Sequence, residues 1–311
     1  MKEIVIGVVG PTAVGKTSLS VEIAKAFNGE VISGDSMQIY RGMDIGTAKV
    51  TEEEQEGIPH HMLDIRSPDE SFSVAEFQTN VKRYVQEITS RGNLPIIAGG
   101  TGLYIEAALY DYQFADQKRD ESLQARIEKE IETNGMDVIY ERLRKVDPEQ
   151  AEKIHPNNVR RVIRALEVYE RTGSTMSEMH QKQSKTSPYH PILIGLEMER
   201  SLLYDRINHR VDLMMTEGLL EEVKRFYQQG LEDAQAMQAI GYKEFIPYFK
   251  GHYSLTEAVE LLKRNSRRYA KRQYTWFKNK MNVHWYSINP EEKNEKFQII
   301  LNDLAGMIKK T

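Results

Sequence analysis

Short apolar runs in this chain are separated by stretches in which apolar residues recur every three or four positions, the pattern of strands buried between helices. The first run, Ile4-Val5-Ile6-Gly7-Val8-Val9, gives way to a helical spacing carried by Leu19, Ile23, Ala24 and Phe27. Glu30-Val31-Ile32-Ser33 reads as a short buried strand, and His60-His61-Met62-Leu63-Asp64-Ile65 as another strand entry. Ser73 and Glu76 make a capping-box pattern ahead of Val74, Phe77, Val81, Val85 and Ile88 at helical spacing. Leu94-Pro95-Ile96-Ile97-Ala98 is the next strand. Strands alternating with amphipathic helices predict an α/β fold, a parallel sheet flanked by helices.

From about Ala115 to Lys185 the pattern changes to charged helical segments around Leu123 to Ile131, Val138 to Leu143 and Val159 to Tyr169. An all-helical stretch between two strand-forming regions reads as an inserted domain, with 1–114 and 188–311 as the core and 115–187 as the insertion. Asn157 or Asn158 is placed to cap the last of these helices, whose Val159, Val162, Ile163, Leu166 and Tyr169 form its apolar side. Arg160, Arg161 and Arg164 lie on or beside the other face, either solvated or facing a phosphate backbone. Thr172 to Pro188 reads as the return linker. Pro191 to Met198 resumes the sheet. One helix is then expected from about Ser201 to Gln229, with Leu203, Ile207, Met214, Leu220, Val223 and Phe226 as core contacts. Arg206 and Arg210 are four apart on it and share a face. Val283 to Ile288 reads as a final strand and Glu291 to Lys309 as a final amphipathic helix.

The chemistry begins where the first strand meets the first helix, at Gly10-Pro11-Thr12-Ala13-Val14-Gly15-Lys16-Thr17. This is a P-loop pattern in the strand-loop-helix context such a loop needs. Its glycines let backbone N–H groups close around phosphate oxygens, and the dipole of the following helix favours negative charge there. Lys16 supplies a cation and Thr17 a hydroxyl for a phosphate or its Mg²⁺. The expected core is therefore P-loop NTPase-like, and the safe inference is a phosphorylated ligand rather than ATP in particular.

In a parallel sheet the loop after the second strand lies beside the P-loop, which brings Asp35 near the bound phosphate. A carboxylate there can hold Mg²⁺ or take a proton from a nucleophile; the plainer alternative is that it caps a turn. A hydrolysing P-loop enzyme usually carries an acidic residue after the strand that here ends at Ala98. This chain has Gly99-Gly100-Thr101-Gly102-Leu103-Tyr104 instead, which suggests close approach of backbone and hydroxyl to a ligand. His60 and His61 point to opposite faces of a strand and do not make a zinc site.

The formal charge is −4, so any nucleic-acid surface has to come from local clustering. Such a cluster exists between Glu260 and Lys280, where Lys263, Arg264, Arg267, Arg268, Lys271, Arg272, Lys278 and Lys280 face one acidic residue. Tyr269, Gln273, Tyr274, Trp276 and Phe277 interleave with them, a charge-plus-stacking composition suited to single-stranded nucleic acid. The alternative is a solvated basic helix with its aromatics in the core. Gln238-Ala239-Ile240-Gly241-Tyr242-Lys243 is a possible contact loop. There is no cysteine, which fits a reducing, cytoplasmic setting. No signal peptide or membrane span is expected.

Taken together, the P-loop, the segment Asp35-Ser36-Met37-Gln38-Ile39-Tyr40-Arg41-Gly42-Met43-Asp44-Ile45-Gly46-Thr47-Ala48-Lys49, the Gly99 to Tyr104 turn and Lys271-Arg272-Gln273-Tyr274-Thr275-Trp276-Phe277 closely resemble the bacterial tRNA dimethylallyltransferase family. The resemblance covers almost the whole chain. It implies transfer of a dimethylallyl group from dimethylallyl diphosphate to N6 of adenosine 37, beside the tRNA anticodon, with Mg²⁺ as cofactor. By the same resemblance Asp35 is the general base, ionised with a pKa near its reference of about 3.9. Gly10, Pro11, Thr12, Ala13, Val14, Gly15, Lys16 and Thr17 bind the diphosphate together with Arg210, and Thr17 is the candidate Mg²⁺ contact. Implied tRNA contacts are Asp35, Ser36, Met37, Gln38, Thr101, Arg160, Arg161, Arg164, Gln238, Gly241, Tyr242, Lys243, Lys271, Arg272, Gln273, Trp276 and Lys278. The expected partners are the anticodon stem-loop and dimethylallyl diphosphate, with no membrane, and the expected state is a monomer. From the residues alone, two competitors stand beside this reading. One is a small-molecule or nucleotide kinase, and the other a non-catalytic RNA-binding switch that uses the P-loop as a sensor.

Overall fold

The computed structural model describes residues 2–110, 112, 120–181 and 186–311. The expected boundary at residues 114 and 115 and part of the expected linker, residues 182–185, lie outside them. The chain forms two compact units, Met1–Tyr110 with Ser187–Thr311, and Asp111–Thr186.

The first unit is built on six strands: β1 (Ile4–Val9), β2 (Gly29–Ser33), β3 (His60–His61), β4 (Leu94–Gly99), β5 (His190–Glu197) and β6 (His284–Ser287). They form one parallel sheet in the order β3-β2-β4-β1-β5-β6. In the central register Val8 lies between Ala98 and Ile194. The helices of this unit are α1 (Lys16–Phe27), α2 (Glu52–Gln55), α3 (Val74–Ser90) and α4 (Gly102–Leu109) before the insertion. Those of the second unit are α5 (Glu121–Asn134), α6 (Met136–Val146), α7 (Pro148–Lys153), α8 (Val159–Thr172) and α9 (Met176–Gln181). After it come α10 (Arg200–Thr216), α11 (Leu219–Gln228), α12 (Ile246–Phe249), α13 (Leu255–Lys280) and α14 (Lys293–Lys309).

Side chains alternate across a strand, and here each parity feeds its own core. Val5 and Val9 join Ile32, Ile97 and Leu193 against Phe77, Val81, Val85 and Ile105. Ile6 and Val8 join Val31, Ile96 and Ile194 against Leu19, Ile23, Ile300 and Leu304. Both faces are covered, so the strands carry no polar alternation, and the α/β expectation holds. Among the described residues no helix is long and apolar enough to cross a membrane.

Some local expectations fail for physical reasons. The single helix expected from Ser201 to Gln229 is two, because Gly218 at φ +102° takes a left-handed turn between α10 and α11. Part of the expected return linker is α9, started by reciprocal bonds between Thr175 and Glu178: Glu178 N–H to Thr175 Oγ1 at 3.1 Å and Thr175 N–H to Glu178 Oε2 at 2.9 Å. In the second unit Val162, Ile163 and Leu166 of α8 meet Ile127, Ile139 and Leu143, but Val159 and Tyr169 at the two ends of the stripe are 36% and 38% exposed. Asn158 precedes α8 without a side-chain cap.

Candidate functional site

The C-terminal ends of β1, β2 and β4 bring three loops to one edge of the sheet: the P-loop, the Asp35 segment and the Gly99 turn. The P-loop has positive φ at Gly10 (+143°), Ala13 (+64°) and Gly15 (+109°). A Cβ at Gly10 would sit 2.5 Å from Leu196 O, so only glycine fits there. Gly15 starts α1 with no side-chain cap. The first amides of that helix therefore remain available to an anion.

Three cations surround this loop. Lys16 Nζ donates to Pro11 O at 2.7 Å, and burial, with the neighbouring Arg210, pushes its ammonium down to about 7. From α10, Arg206 Nε donates to Ala13 O at 3.1 Å and Arg210 Nη1 to Thr12 Oγ1 at 3.3 Å. The shared face of these two arginines does look at the P-loop. Asp35 Oδ1 accepts the Met37 N–H at 2.8 Å, so the carboxylate does cap a turn while also lining the cavity. Its pKa is raised above the ordinary carboxylate value by burial, opposed by the Met37 N–H and by Lys16. The expectation of a reference value is thereby corrected, and a raised value makes the carboxylate a better proton acceptor.

A cavity of about 250 Å³ opens beside these groups. Its lining is mixed: Thr12, Asp35, Arg210 and Arg272 are polar, and Ile207, Val211, Met214, Ile240 and Leu262 are apolar. Ser36, Met37, Gln238 and Tyr269 also line it. Thr17 is exposed at the start of α1. Among the described residues no group of three or more His, Asp or Glu side chains is arranged to hold a metal. His61 Nε2 pairs with Glu30 Oε2 at 2.6 Å.

The Asp35 segment is held from behind by Glu222, which the sequence motifs do not single out, and by its own Lys49 and Gln38. Glu222, on α11, accepts the N–H groups of Asp44 and Ile45 at 2.9 Å each, that of Gly46 at 3.0 Å, and the Tyr242 hydroxyl at 2.5 Å. Lys49 Nζ donates to Tyr40 O, Asp44 Oδ1 and Asp64 Oδ1. Gln38 Nε2 reaches Thr47 O and Ala48 O, and its Oε1 accepts from Ser33 Oγ. A signal for Glu222 exists in the sequence: it falls on the apolar stripe Leu219, Val223, Phe226, where an acid has to be satisfied internally.

Several implied tRNA contacts take other places. Tyr242 has no exposed surface; its hydroxyl donates to Glu222, and a Cβ on Gly46 would sit 2.4 Å from its ring. Gly241 is buried against Gly46, while Lys243 is exposed. Gln273 is 4% exposed, accepting the Thr12 N–H at 2.9 Å and donating to Gly100 O at 3.0 Å. Trp276 fills the space over Gly102, where a Cβ would meet its ring at 2.2 Å. Tyr242 and Gln273 are thus internal side chains bonded to the protein itself, where a surface contact to RNA was expected. In the Gly99 turn the room at Gly100 and Gly102 is taken by the protein's own side chains. Thr101 Oγ1 accepts the Ser36 N–H at 3.3 Å.

On α13 the basic and aromatic residues separate by face. Arg264, Arg268, Lys271, Arg272, Lys278 and Lys280 are exposed, with Lys278 paired to Glu197 at 2.6 Å, while Phe277 is fully buried and Tyr274 Oη accepts the Met198 N–H at 2.9 Å. Lys263 is spent on Asp212 and Arg267 on Asn208. In the second unit Arg160 and Arg161 are exposed on α8, whereas Arg164 pairs at 2.9 Å with Glu167, itself 2% exposed.

Residues 38–280 match the family model described as IPP transferase. The tRNA dimethylallyltransferase of Oceanobacillus iheyensis is 59% identical over 99% of this chain and 98% of its own, and that of Bacillus cytotoxicus 60% over 99% and 96%. Among solved structures, the full-length tRNA isopentenylpyrophosphate transferase of Bacillus halodurans superposes with a TM-score of 0.75 at 50% identity, covering 99% of this chain and 98% of that one. A eukaryotic dimethylallyltransferase acting on tRNA superposes with a TM-score of 0.81 at 33% identity, covering 98% and 80%. With the P-loop, Asp35 and Arg210 around one part-apolar cavity, these matches lead to one conclusion: the chain belongs to the IPP transferase family.

Proposed function

We propose that this chain transfers the dimethylallyl group of dimethylallyl diphosphate to N6 of adenosine 37 in tRNA, releasing diphosphate. The observation that carries this reading is the cavity, whose lining combines the Asp35 carboxylate and the cations Arg210 and Arg272 with the aliphatic side chains Ile207, Val211, Ile240 and Leu262, beside Lys16 of the P-loop. The relatives named tRNA dimethylallyltransferase support it. The exocyclic amine of adenine is a weak nucleophile because its lone pair is delocalised into the ring. Asp35 accepts its proton as the N6–C bond forms, and its raised pKa suits that task. The C–O bond to diphosphate breaks on the other side of the allylic carbon. Lys16, Arg210 and the uncapped amides of α1 then take the developing charge. Ile207, Val211 and Met214 supply the apolar surface for the prenyl tail.

Mg²⁺ fits such a site as a guest of the substrate, since it commonly keeps its waters and takes one or two protein oxygens plus phosphate. The exposed Thr17 hydroxyl is the contact we assign to it, and its contribution would be further neutralisation of the leaving group. We assign tRNA binding to the exposed Lys243, Lys271 and Arg272, and to Arg160 and Arg161 in the second unit. Adenosine 37 has to leave its stack to reach Asp35. We assign a cytoplasmic setting, which the lack of cysteine fits, and a monomeric working form, which fits a single chain supplying Asp35, Lys16 and Arg210 together.

A kinase would account for the P-loop and Asp35, but not for the aliphatic side chains beside them or for Gly99 and Gly100 where a nucleotide-hydrolysing enzyme carries an acid. The test is incubation with unmodified tRNA, Mg²⁺ and dimethylallyl diphosphate or ATP, followed by mass spectrometry of the digested nucleosides. Adenosine heavier by one dimethylallyl group, formed only with the prenyl diphosphate, is the expected result. Consumption of ATP without a modified nucleoside would replace this reading with the kinase.

A further inference from the structure

We propose that Gln273 is a positioning residue, the side chain through which α13 holds the Thr12 peptide, and through Thr12 the Arg210 guanidinium, in place for the diphosphate. The inference rests on the reading of the P-loop as a diphosphate site. Gln273 stands between two exposed basic residues and Trp276, yet it is 4% exposed. Both ends of its amide are used: Oε1 accepts the Thr12 N–H at 2.9 Å and Nε2 donates to Gly100 O at 3.0 Å. Thr12 Oγ1 in turn accepts from Arg210 Nη1 at 3.3 Å. One side chain therefore ties the turn after β4, the P-loop and, at one remove, α10.

The chemistry selects glutamine. A glutamate would set a carboxylate oxygen against Gly100 O, and an apolar residue would leave a half-buried N–H and a buried C=O without their partner. The room for it comes from the missing Cβ of residue 100, which would stand 2.0 Å from Gln273 Nε2. Gly100 and Gln273 are thus two halves of one joint, which accounts for a glycine where a nucleotide-hydrolysing P-loop enzyme carries an acid. The joint also decides which amides the loop offers to an anion, because the Thr12 N–H is already taken. Arg272, the next residue, lines the cavity, so the same turn of α13 that faces the substrate also steadies the loop.

The experiment is calorimetric titration of inorganic pyrophosphate with Mg²⁺ into the wild type, Gln273→Ala, Gln273→Met, Gly100→Ala and the Gly100→Ala/Gln273→Ala double variant. Melting temperature and tRNA filter binding are measured alongside. Gln273→Ala is expected to weaken pyrophosphate binding about tenfold, the size of one buried hydrogen bond, with tRNA affinity within about threefold of wild type. Gln273→Met keeps the volume and loses both bonds, so the same loss is expected. Gly100→Ala pushes the glutamine out and is expected to match it, and the double variant to be no weaker than the worse single one. Wild-type pyrophosphate affinity in Gln273→Met would reduce Gln273 to packing and overturn the inference. So would multiplying losses in the double variant, or a loss of tRNA affinity alone. A wild type that does not bind pyrophosphate would overturn the diphosphate reading of the loop and this inference with it.

Discussion

Two glycine-rich turns follow neighbouring strands of the same parallel sheet, and they are used in opposite ways. The turn after β1 holds its shape with positive φ at Gly10, Ala13 and Gly15 and leaves the start of α1 uncapped. The turn after β4 has no positive φ at Gly99, Gly100 or Gly102, and its missing side chains are replaced by Gln273 and Trp276. In the first turn glycine supplies backbone conformation, and in the second it supplies volume. A glycine-rich strand-to-helix turn therefore does not by itself mark a ligand site, because the room its glycines leave can be filled by side chains from far along the chain.

The comparison breaks most sharply at the chemistry facing the first turn. Asp35→Asn is expected to lower single-turnover prenylation by roughly 10² to 10⁴ while pyrophosphate binding is retained, which removes the proton acceptor and keeps the anion site. An unchanged rate would take Asp35 out of the mechanism. Next in size, Lys16→Ala is expected to weaken pyrophosphate about 10- to 100-fold, the scale of a charge-assisted hydrogen bond, without changing tRNA affinity. Lys16 also gives a pH signature. Burial lowers its pKa to about 7, so the unliganded protein loses this charge as pH rises through that value. The affinity advantage of the wild type over Lys16→Arg should therefore shrink from about pH 6 to about pH 8, and titration of pyrophosphate itself cancels in that ratio. A constant ratio would mean that Lys16 stays charged throughout.

The second turn is sharpened by Gly102→Ala, whose Cβ would lie 2.2 Å from the Trp276 ring. Overpacking of this kind costs about 1–3 kcal/mol, so the melting temperature should fall. At Gly15 a Cβ meets nothing within 4 Å, but φ is +109°. Gly15→Ala should therefore act on diphosphate affinity through backbone strain. A Gly102→Ala protein with unchanged melting temperature would refute the volume argument. The smallest effect is expected outside both turns, at Arg272→Ala, which should reduce the salt slope of tRNA binding by about one counterion. An unchanged slope would make Arg272 a cavity residue only.

The strands were legible because a sheet covered on both faces needs uninterrupted apolar runs, and the P-loop because its glycines, lysine and threonine are contiguous. The packing of the second turn is not legible because its partners, Gln273 and Trp276, lie more than a hundred residues downstream, where local pattern does not record it. Glu222 was missed for the same reason, although its place on the stripe Leu219, Val223, Phe226 is written in the sequence. For the basic-aromatic segment two readings stand in the sequence, and helical spacing, which separates Ala270, Gln273 and Phe277 from Arg268, Lys271 and Arg272, already shows the buried side that the second of them requires. The left-handed turn at Gly218 was signalled by the glycine itself, inside what was read as one long helix.

On the proposed function the open turn after β1 cradles a diphosphate beside aliphatic side chains and does not hold a nucleotide. The decisive experiment titrates dimethylallyl diphosphate and ATP, each with Mg²⁺, into the wild type and Lys16→Ala by calorimetry. Saturable binding of the prenyl diphosphate that Lys16→Ala weakens, with no binding of ATP at the same concentrations, is the predicted result. ATP binding through Lys16 at equal or greater affinity would contradict the account.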